Sequence, residues 1–255
     1  MKNQKLRLGL SLFFLGMLGV LSLLTMEVTY PEEVKAILDK RFSPVQLKLL
    51  TLLNPAIYLL IAVVVGVNLH KKVDLQVPVL EGLFTRREIK SIGSILQYGL
   101  AGGVLAGIAI TIVGLVYEPW LPREFIAAGE KMEPGLAMRF LYGGITEEIL
   151  MRFGLMTLMV WLLWKLTKKL TPSVYWTGIT IAALLFGLGH FPVVYQVVAS
   201  PDAILLSYIL IGNTAGGLVF GWLYWKKGLE SAMVAHIFAH VVMVLAGLLE
   251  KQFLS

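Results

Sequence analysis

The chain has 255 residues, of which 57% are hydrophobic and only 15% are charged, and it contains no cysteine. A soluble domain typically has about 25% charged residues, so this composition excludes a water-soluble globule of this size, and its hydrophobicity excludes a disordered chain. The absence of cysteine excludes disulfide frameworks, thiol nucleophiles and cysteine-ligated metal centres. The net charge of +6 includes no basic cluster interleaved with aromatic residues, so we expect no nucleic-acid partner. What remains is an all-α, polytopic membrane protein embedded in a lipid bilayer.

Long apolar runs predict about seven transmembrane helices, with an eighth not excluded. The first run follows a basic segment. Because no small-residue cleavage site follows it, we interpret it as a retained helix and not as a signal peptide. The predicted spans cover residues 8–26, 49–69, 95–116, 136–164, 174–198, 203–225 and 229–249.

Three further signals concern helix starts and packing in the first half of the chain. Residues 31–42 place a proline and two glutamates ahead of apolar residues at helical spacing, which predicts a short amphipathic helix. Residues 85–88 fit a capping box, which predicts a helix start leading into the third span. The five glycines of the third span predict close packing against another helix.

Ionisable residues inside the predicted spans are concentrated in the second half of the membrane region. Placing an Asp, Lys or Arg at the centre of a transmembrane helix costs about 2.5–3.5 kcal/mol of insertion free energy. Away from their ends, the predicted spans between 136 and 250 nevertheless hold two glutamates, an arginine and three of the four histidines, whereas the first three predicted spans hold no charge. We therefore predict a polar cavity in a catalytic core at 136–250, preceded by an N-terminal membrane segment at 1–135.

The first motif of this core is Glu147-Glu148-x-x-x-Arg152. On an α-helix Glu148 and Arg152 are four residues apart, with the acid on the favourable N-terminal side. Arginine stays protonated, so a buried Arg152 needs an anion, and Glu148 is best placed to supply it. The Glu147 side chain points about 100° away from that of Glu148 around the helix axis, so Glu147 remains available for catalysis. The same pattern also fits a purely structural ion pair between helices.

The second and third motifs supply imidazoles. Phe186 lies one turn before His190 and could wall its ring, while His236 and His240 share one helix face. The spacing of the last two suits metal ligation, but Ile237 stands where the zincin pattern has glutamate. All three histidines could equally be hydrogen-bonded core residues. The sequence contains no serine or cysteine nucleophile motif. The carboxylate and the imidazoles are groups that can activate a water molecule for hydrolysis.

In this order on three apolar helices, the motifs resemble the CAAX prenyl endopeptidase family, the Rce1-like group that includes Abi-type membrane proteases, over residues 136–245. The resemblance implies a metal-independent, glutamate-dependent intramembrane peptidase without a cofactor. Its substrate would be a membrane-associated, in some cases lipidated, peptide or protein.

The resemblance also implies roles for individual residues. Glu147 and His190 would activate water, Glu148 and Arg152 would shape and charge-balance the site, and His236 would help to hold the oxyanion. Phe186 would shape the wall. His240 completes the catalytic candidates, but it stands where prenyl-protease members usually carry asparagine.

Three other functions stay open at this point. The same glutamate and histidines could bind zinc in a membrane hydrolase. The chain could be a non-catalytic scaffold or immunity protein, or a proton-coupled transporter, although no internal repeat supports transport.

The distribution of lysine and arginine predicts orientation. The side that includes the N-terminus carries 13 of the 22 Lys and Arg residues and the opposite side carries eight. The positive-inside rule then predicts a cytoplasmic N-terminus in a prokaryotic cell membrane.

Overall fold

The computed structural model describes residues 2–26, 37–38, 40–85, 92–131 and 134–253. Helices account for nearly all of this part of the chain, and none of it forms a strand. Seven segments among these residues are long and apolar enough to cross a membrane, which confirms the all-α polytopic architecture. The spans are Asn3–Thr25, Pro44–Val73, Ile92–Trp120, Met138–Thr167, Pro172–Val197, Ala203–Lys227 and Leu229–Glu250.

The α-helices are α1 Lys2–Ser22, α2 Pro44–Leu50, α3 Leu53–Leu69, α4 Pro78–Thr85, α5 Ile92–Tyr117, α6 Arg123–Lys131, α7 Thr157–Thr167, α8 Pro172–Gly189, α9 Phe191–Val197, α10 Ala203–Lys227 and α11 Leu229–Phe253. Three short 3₁₀ turns extend or join them at Leu23–Thr25, His70–Val73 and Glu118–Trp120. The amphipathic helix expected at 31–42 and the capping box expected at 85–88 lie largely or wholly outside the described residues. The described capping box is formed instead by Ser43 and Gln46, at the start of α2.

About the first two thirds of the fourth span are π-helical, in the segments π1 Met138–Glu147 and π2 Ile149–Met156. The α-helical geometry assumed for the glutamate motif is therefore wrong. Threonine hydroxyls fit this wider turn, because Thr146 and Thr157 each donate to the carbonyl five residues earlier. The single hydroxyl proton of Thr146 is shared with Gly16 O of α1, which is the nearer acceptor at 2.7 Å. Such segments occur frequently at functional sites.

The fifth span is broken at His190. The backbone N–H of His190 bonds to Gly187 O, in the tighter i→i−3 pattern that often ends a helix. Pro192 then occupies the first turn of α9. An uninterrupted helix over 174–198 was expected, but Pro192 cannot donate a backbone hydrogen bond and fits only a first turn. His190 thus lies at a helix end, in the break between α8 and α9.

Glycines of α5 bring it close to α11, as expected. A Cβ added to Gly99 would lie 2.7 Å from Val234 Cβ, and one added to Gly103 would lie 2.7 Å from Ala235 O. Gly114 differs, because a Cβ there would meet open space. The close contact therefore covers the part of α5 that faces the start and middle of α11, beside the histidines.

Because consecutive spans alternate in direction, the bundle has two faces. One face carries the start of α1 and the described connecting residues 74–77, 168–171 and 228. The other face carries residues 26, 40–43, 121–131, 134–137 and 198–202.

Candidate active site

Five spans surround one cavity of about 260 Å³. Its walls come from α5, the π-helical part of the fourth span, the break in the fifth span, and the facing parts of α10 and α11. Five of the seven residues singled out from the sequence line it, namely Glu147, Phe186, His190, His236 and His240. The other two, Glu148 and Arg152, lie buried behind the wall. The structure therefore brings the three motifs together.

Glu148 is the centre of a buried charge network. Its residue is fully buried, and its Oε1 lies 2.8 Å from His236 Nδ1. Its Oε2 lies 3.3 Å from Arg152 Nε, and Arg152 is only 2% exposed. One carboxylate thus faces two basic groups from two different spans. The expected pairing of Glu148 with Arg152 is confirmed, and His236 is an additional partner.

Two phenylalanine rings enclose the Arg152 guanidinium. Its Cζ lies 5.3 Å from the centroid of Phe186 and 5.4 Å from that of Phe220, distances typical of cation–π contacts. Phe220 also stacks on His236, with ring centroids 4.5 Å apart and planes inclined by 18°. Phe220 therefore contacts two members of the charge network. No sequence signal selects Phe220, because one aromatic residue in an apolar span is ordinary core.

Glu147 lies on the cavity side of the same helix. Its side chain is 18% exposed, unlike the fully buried Glu148. Its Oε2 lies 3.9 Å from His236 Nε2, which is too long for a direct hydrogen bond and suits a bridging water. His236 therefore joins the two glutamates, with Nδ1 toward Glu148 and Nε2 toward Glu147.

The orientation of His190 follows from its hydrogen bond. Its Nδ1 lies 2.8 Å from Phe186 O, and since a carbonyl only accepts, Nδ1 carries the proton. In the neutral ring Nε2 is then the free acceptor. The edge of Phe186 packs against the imidazole at 4.8 Å, so this residue walls His190 as expected.

His240 lies beside His236, with stacked rings 5.1 Å apart. Gly143 of π1 makes room for both, since a Cβ there would lie 2.7 Å from His240 Nε2. In the described part of the chain, His240 Nδ1 has no hydrogen-bond partner although the atom is buried. The structure places His240 on the cavity wall, and its role stays a prediction.

Two polar residues outside the selected set also line the cavity. Arg139 donates from Nε to Pro134 O at 2.9 Å, which fixes its guanidinium near the start of the fourth span. Asn213 donates from Nδ2 to Ile209 O of its own helix. The Nδ2 group of Asn213 is thus hydrogen-bonded within its own helix, four residues back.

The geometry of the possible zinc ligands gives little support to the alternative of a zinc-dependent hydrolase. Within the residues that the structure describes, no three His, Asp or Glu side chains are grouped so that they could hold a metal ion. His236 Nδ1 already contacts Glu148, and the rings of His236 and His240 are stacked rather than convergent. Metal independence stays a prediction.

A protein-family model matches the part of the chain that forms this site. It is the model for type II CAAX prenyl endopeptidase, Rce1-like, and it matches residues 133–242. Comparisons with curated proteins and with solved structures found no match. The matched range contains all three motifs and most of the residues that line the cavity, so residues 133–242 of this integral multi-pass membrane protein match the Rce1-like CAAX prenyl endopeptidase family.

Proposed function

We propose that this chain is an endopeptidase that hydrolyses a peptide bond in a membrane-associated peptide or protein, with water activated by Glu147 and His190. The family match supports membrane endopeptidase activity in general. The single observation that carries the finer proposal is the different setting of the two neighbouring glutamates. Glu148 is buried between His236 and Arg152, while Glu147 reaches the cavity and has His236 Nε2, at 3.9 Å, beyond direct hydrogen-bond distance.

In the proposed reaction, a water molecule lies between Glu147 and the substrate carbonyl. Glu147 takes a proton from the water while the oxygen of that water forms a bond to the carbonyl carbon of the substrate. His190 Nε2 can accept a hydrogen bond from the same water, because Nδ1 donates to Phe186 O. When the tetrahedral intermediate collapses, the C–N bond breaks and Glu147 returns the proton to the leaving amine.

We assign His236 the role of oxyanion donor. Its Nδ1 lies 2.8 Å from Glu148 Oε1, and an Nε2–H of the same ring would donate to the developing negative charge. Arg152 partly neutralises the negative charge of the Glu148 carboxylate. It also holds that carboxylate in one orientation. We propose no metal in this scheme, since each proton transfer has a side chain to perform it.

The proposal is tested by comparing cells that express the full chain with cells that express Glu147→Gln. Substrates should accumulate uncleaved in the membrane fraction of the variant, and their carboxyl-side products should disappear. Glu118→Gln, an exposed glutamate outside the cavity, is the matched control and should behave as the parent chain. Identical membrane peptide profiles for all three chains would refute the proposed hydrolysis and favour the scaffold or immunity alternative.

A further inference from the structure

The cavity has a permanent cation near one end. Among the described lining residues Arg139 is the one Lys or Arg, and it lies at the start of the fourth span. Glu147 lies eight residues further along the same π-helical segment, so about two helical turns separate the two positions. The cavity therefore has a cationic end at Arg139 and the proposed reactive end at Glu147.

The guanidinium of Arg139 is held in place but is not neutralised. Its Nε donates to Pro134 O at 2.9 Å, which is its one side-chain hydrogen bond within the described part of the chain. No described Asp or Glu lies within salt-bridge distance of it, whereas Arg152 of the same span is paired with Glu148. Nη1 of Arg152 is buried, but Nη1 and Nη2 of Arg139 remain accessible. These two nitrogens can therefore donate to a ligand.

Several walls of the cavity near this cation are apolar. Met138 precedes Arg139 in the fourth span, and Ile110, Ile209 and Met243 line the cavity from three other spans. An apolar environment strengthens the attraction between opposite charges, because little water is present to screen it. An anionic group in the cavity would therefore bind Arg139 more tightly than it would bind an arginine on an exposed surface.

The shape of a guanidinium determines which anion fits best. Its N–H groups form a planar fork that matches the two oxygens of a carboxylate through parallel hydrogen bonds. Two helical turns rise about 10 Å, and an extended peptide rises up to about 3.6 Å per residue. A carboxylate bound at Arg139 would therefore lie within a few residues of the peptide bond at Glu147.

We propose that Arg139 binds a carboxylate of the substrate and thereby selects peptides that carry one within a few residues of the cleaved bond. The identity of the ligand as a peptide rests on the proposed function, whereas the anion site rests on the contacts of Arg139. A terminal carboxylate and the side chain of an aspartate or glutamate supply the same chemistry.

The test measures the binding of short apolar peptides to the purified full-length chain carrying Glu147→Gln, so that hydrolysis does not consume them. Four fluorescent probes share one apolar sequence. One ends in a free carboxylate and one in a carboxamide, and two further carboxamides carry an internal glutamate or an internal glutamine. Each probe is measured with Arg139 intact, with Arg139→Gln, and with Arg123→Gln, an exposed arginine outside the cavity that serves as the matched control.

With Arg139 intact, one carboxylate probe should bind at least about tenfold more tightly than its uncharged partner, as expected for a charge-assisted hydrogen-bonded pair. The preference should disappear in Arg139→Gln and persist in Arg123→Gln. The pair of probes that shows it identifies the carboxylate as terminal or as a side chain. If Arg139→Gln does not fold, Arg139→Lys replaces it, and this variant should show a weaker preference because lysine lacks the fork.

No preference for a carboxylate with Arg139 intact, or an unchanged preference in the Arg139 variants, would overturn the proposal. Binding is measured without turnover, so the result is independent of the proposed hydrolysis. A chain that cleaves peptides but shows no such preference would refute the carboxylate site alone. A chain that shows the preference but cleaves nothing would refute the proposed hydrolysis alone.

Discussion

His236 Nδ1 lies 2.8 Å from Glu148 Oε1, although the two residues belong to different spans and are 88 positions apart. The contact joins α11 to the π-helical part of the fourth span and turns the opposite nitrogen of His236 toward Glu147. Glu148 therefore positions a second residue that faces the cavity, besides compensating Arg152.

The two neighbouring glutamates should differ in their effect on stability. Glu148→Ala leaves Arg152 buried without its anion, and breaking such a pair costs about 3–5 kcal/mol. Glu147→Ala removes a side chain that is partly open to the cavity and should cost much less. Thermal unfolding of the purified variants in detergent measures both. Equal stability together with equal residual activity would contradict this division of roles.

Phe220 should contribute more than ordinary core packing. Phe220→Leu keeps an apolar side chain but removes the ring that contacts Arg152 and stacks on His236. A desolvated cation–π contact contributes about 2 kcal/mol, and the stacked imidazole loses its support as well. We expect lower stability and slower turnover than for the control Phe14→Leu, at a phenylalanine that is 64% exposed. Indistinguishable unfolding of the two variants would exclude this role.

The position of His240 can be tested without changing the residue itself. In Gly143→Ala the new methyl group would lie 2.7 Å from His240 Nε2, so the imidazole must move. Gly114→Ala is the control, because its methyl group meets open space and alanine favours the helix by up to about 1 kcal/mol. We expect Gly143→Ala to retain most of its stability and to lose turnover. Full turnover would show that the placement of His240 is unimportant for the reaction.

A salt bridge between Glu81, which lies outside the spans, and the end of the second span should give the fold an acid-dependent stability. Glu81 Oε1 lies 2.6 Å from Lys71 Nζ and 3.3 Å from His70 Nε2. Burial alone would raise the pKa of the Glu81 carboxyl, but hydrogen bonds from His70 and Lys71 outweigh it and hold the pKa below its usual 4.5. The stabilisation is therefore complete above pH 4.5 and is lost as the pH falls through the lower folded-state pKa.

Glu81→Gln should lose part of this acid-dependent destabilisation. The check is the thermal midpoint of the parent chain, Glu81→Gln and the exposed control Glu118→Gln, measured from pH 6 to about pH 3. The difference between the parent and Glu81→Gln should shrink at the acid end. A constant difference across this range would mean that the carboxylate of Glu81 is not selectively stabilised in the fold.

The number of spans and the residues around the cavity could be predicted because both depend on the cost of polar groups in lipid. That cost makes Glu147, His190 and His236 exceptional in apolar runs, and the structure brings them to one cavity. Pro192 also indicated the helix break at His190, but the span prediction did not take this proline into account. Neither the π-helical backbone nor the contacts of Phe220 could be predicted, since both depend on packing between spans distant in sequence.

The central claim is that Glu147 is the base, and kinetics of the purified chain with Glu147→Gln test it most directly. A cleavable membrane peptide, identified from the profiles described above, is assayed in detergent or liposomes with and without added zinc. We expect turnover to fall about 10²–10⁴-fold, the contribution typical of a general base, with substrate binding and the thermal midpoint unchanged. Added zinc should not restore the rate. Turnover within about twofold of the parent chain, or recovery with about one zinc bound per chain, would contradict the account.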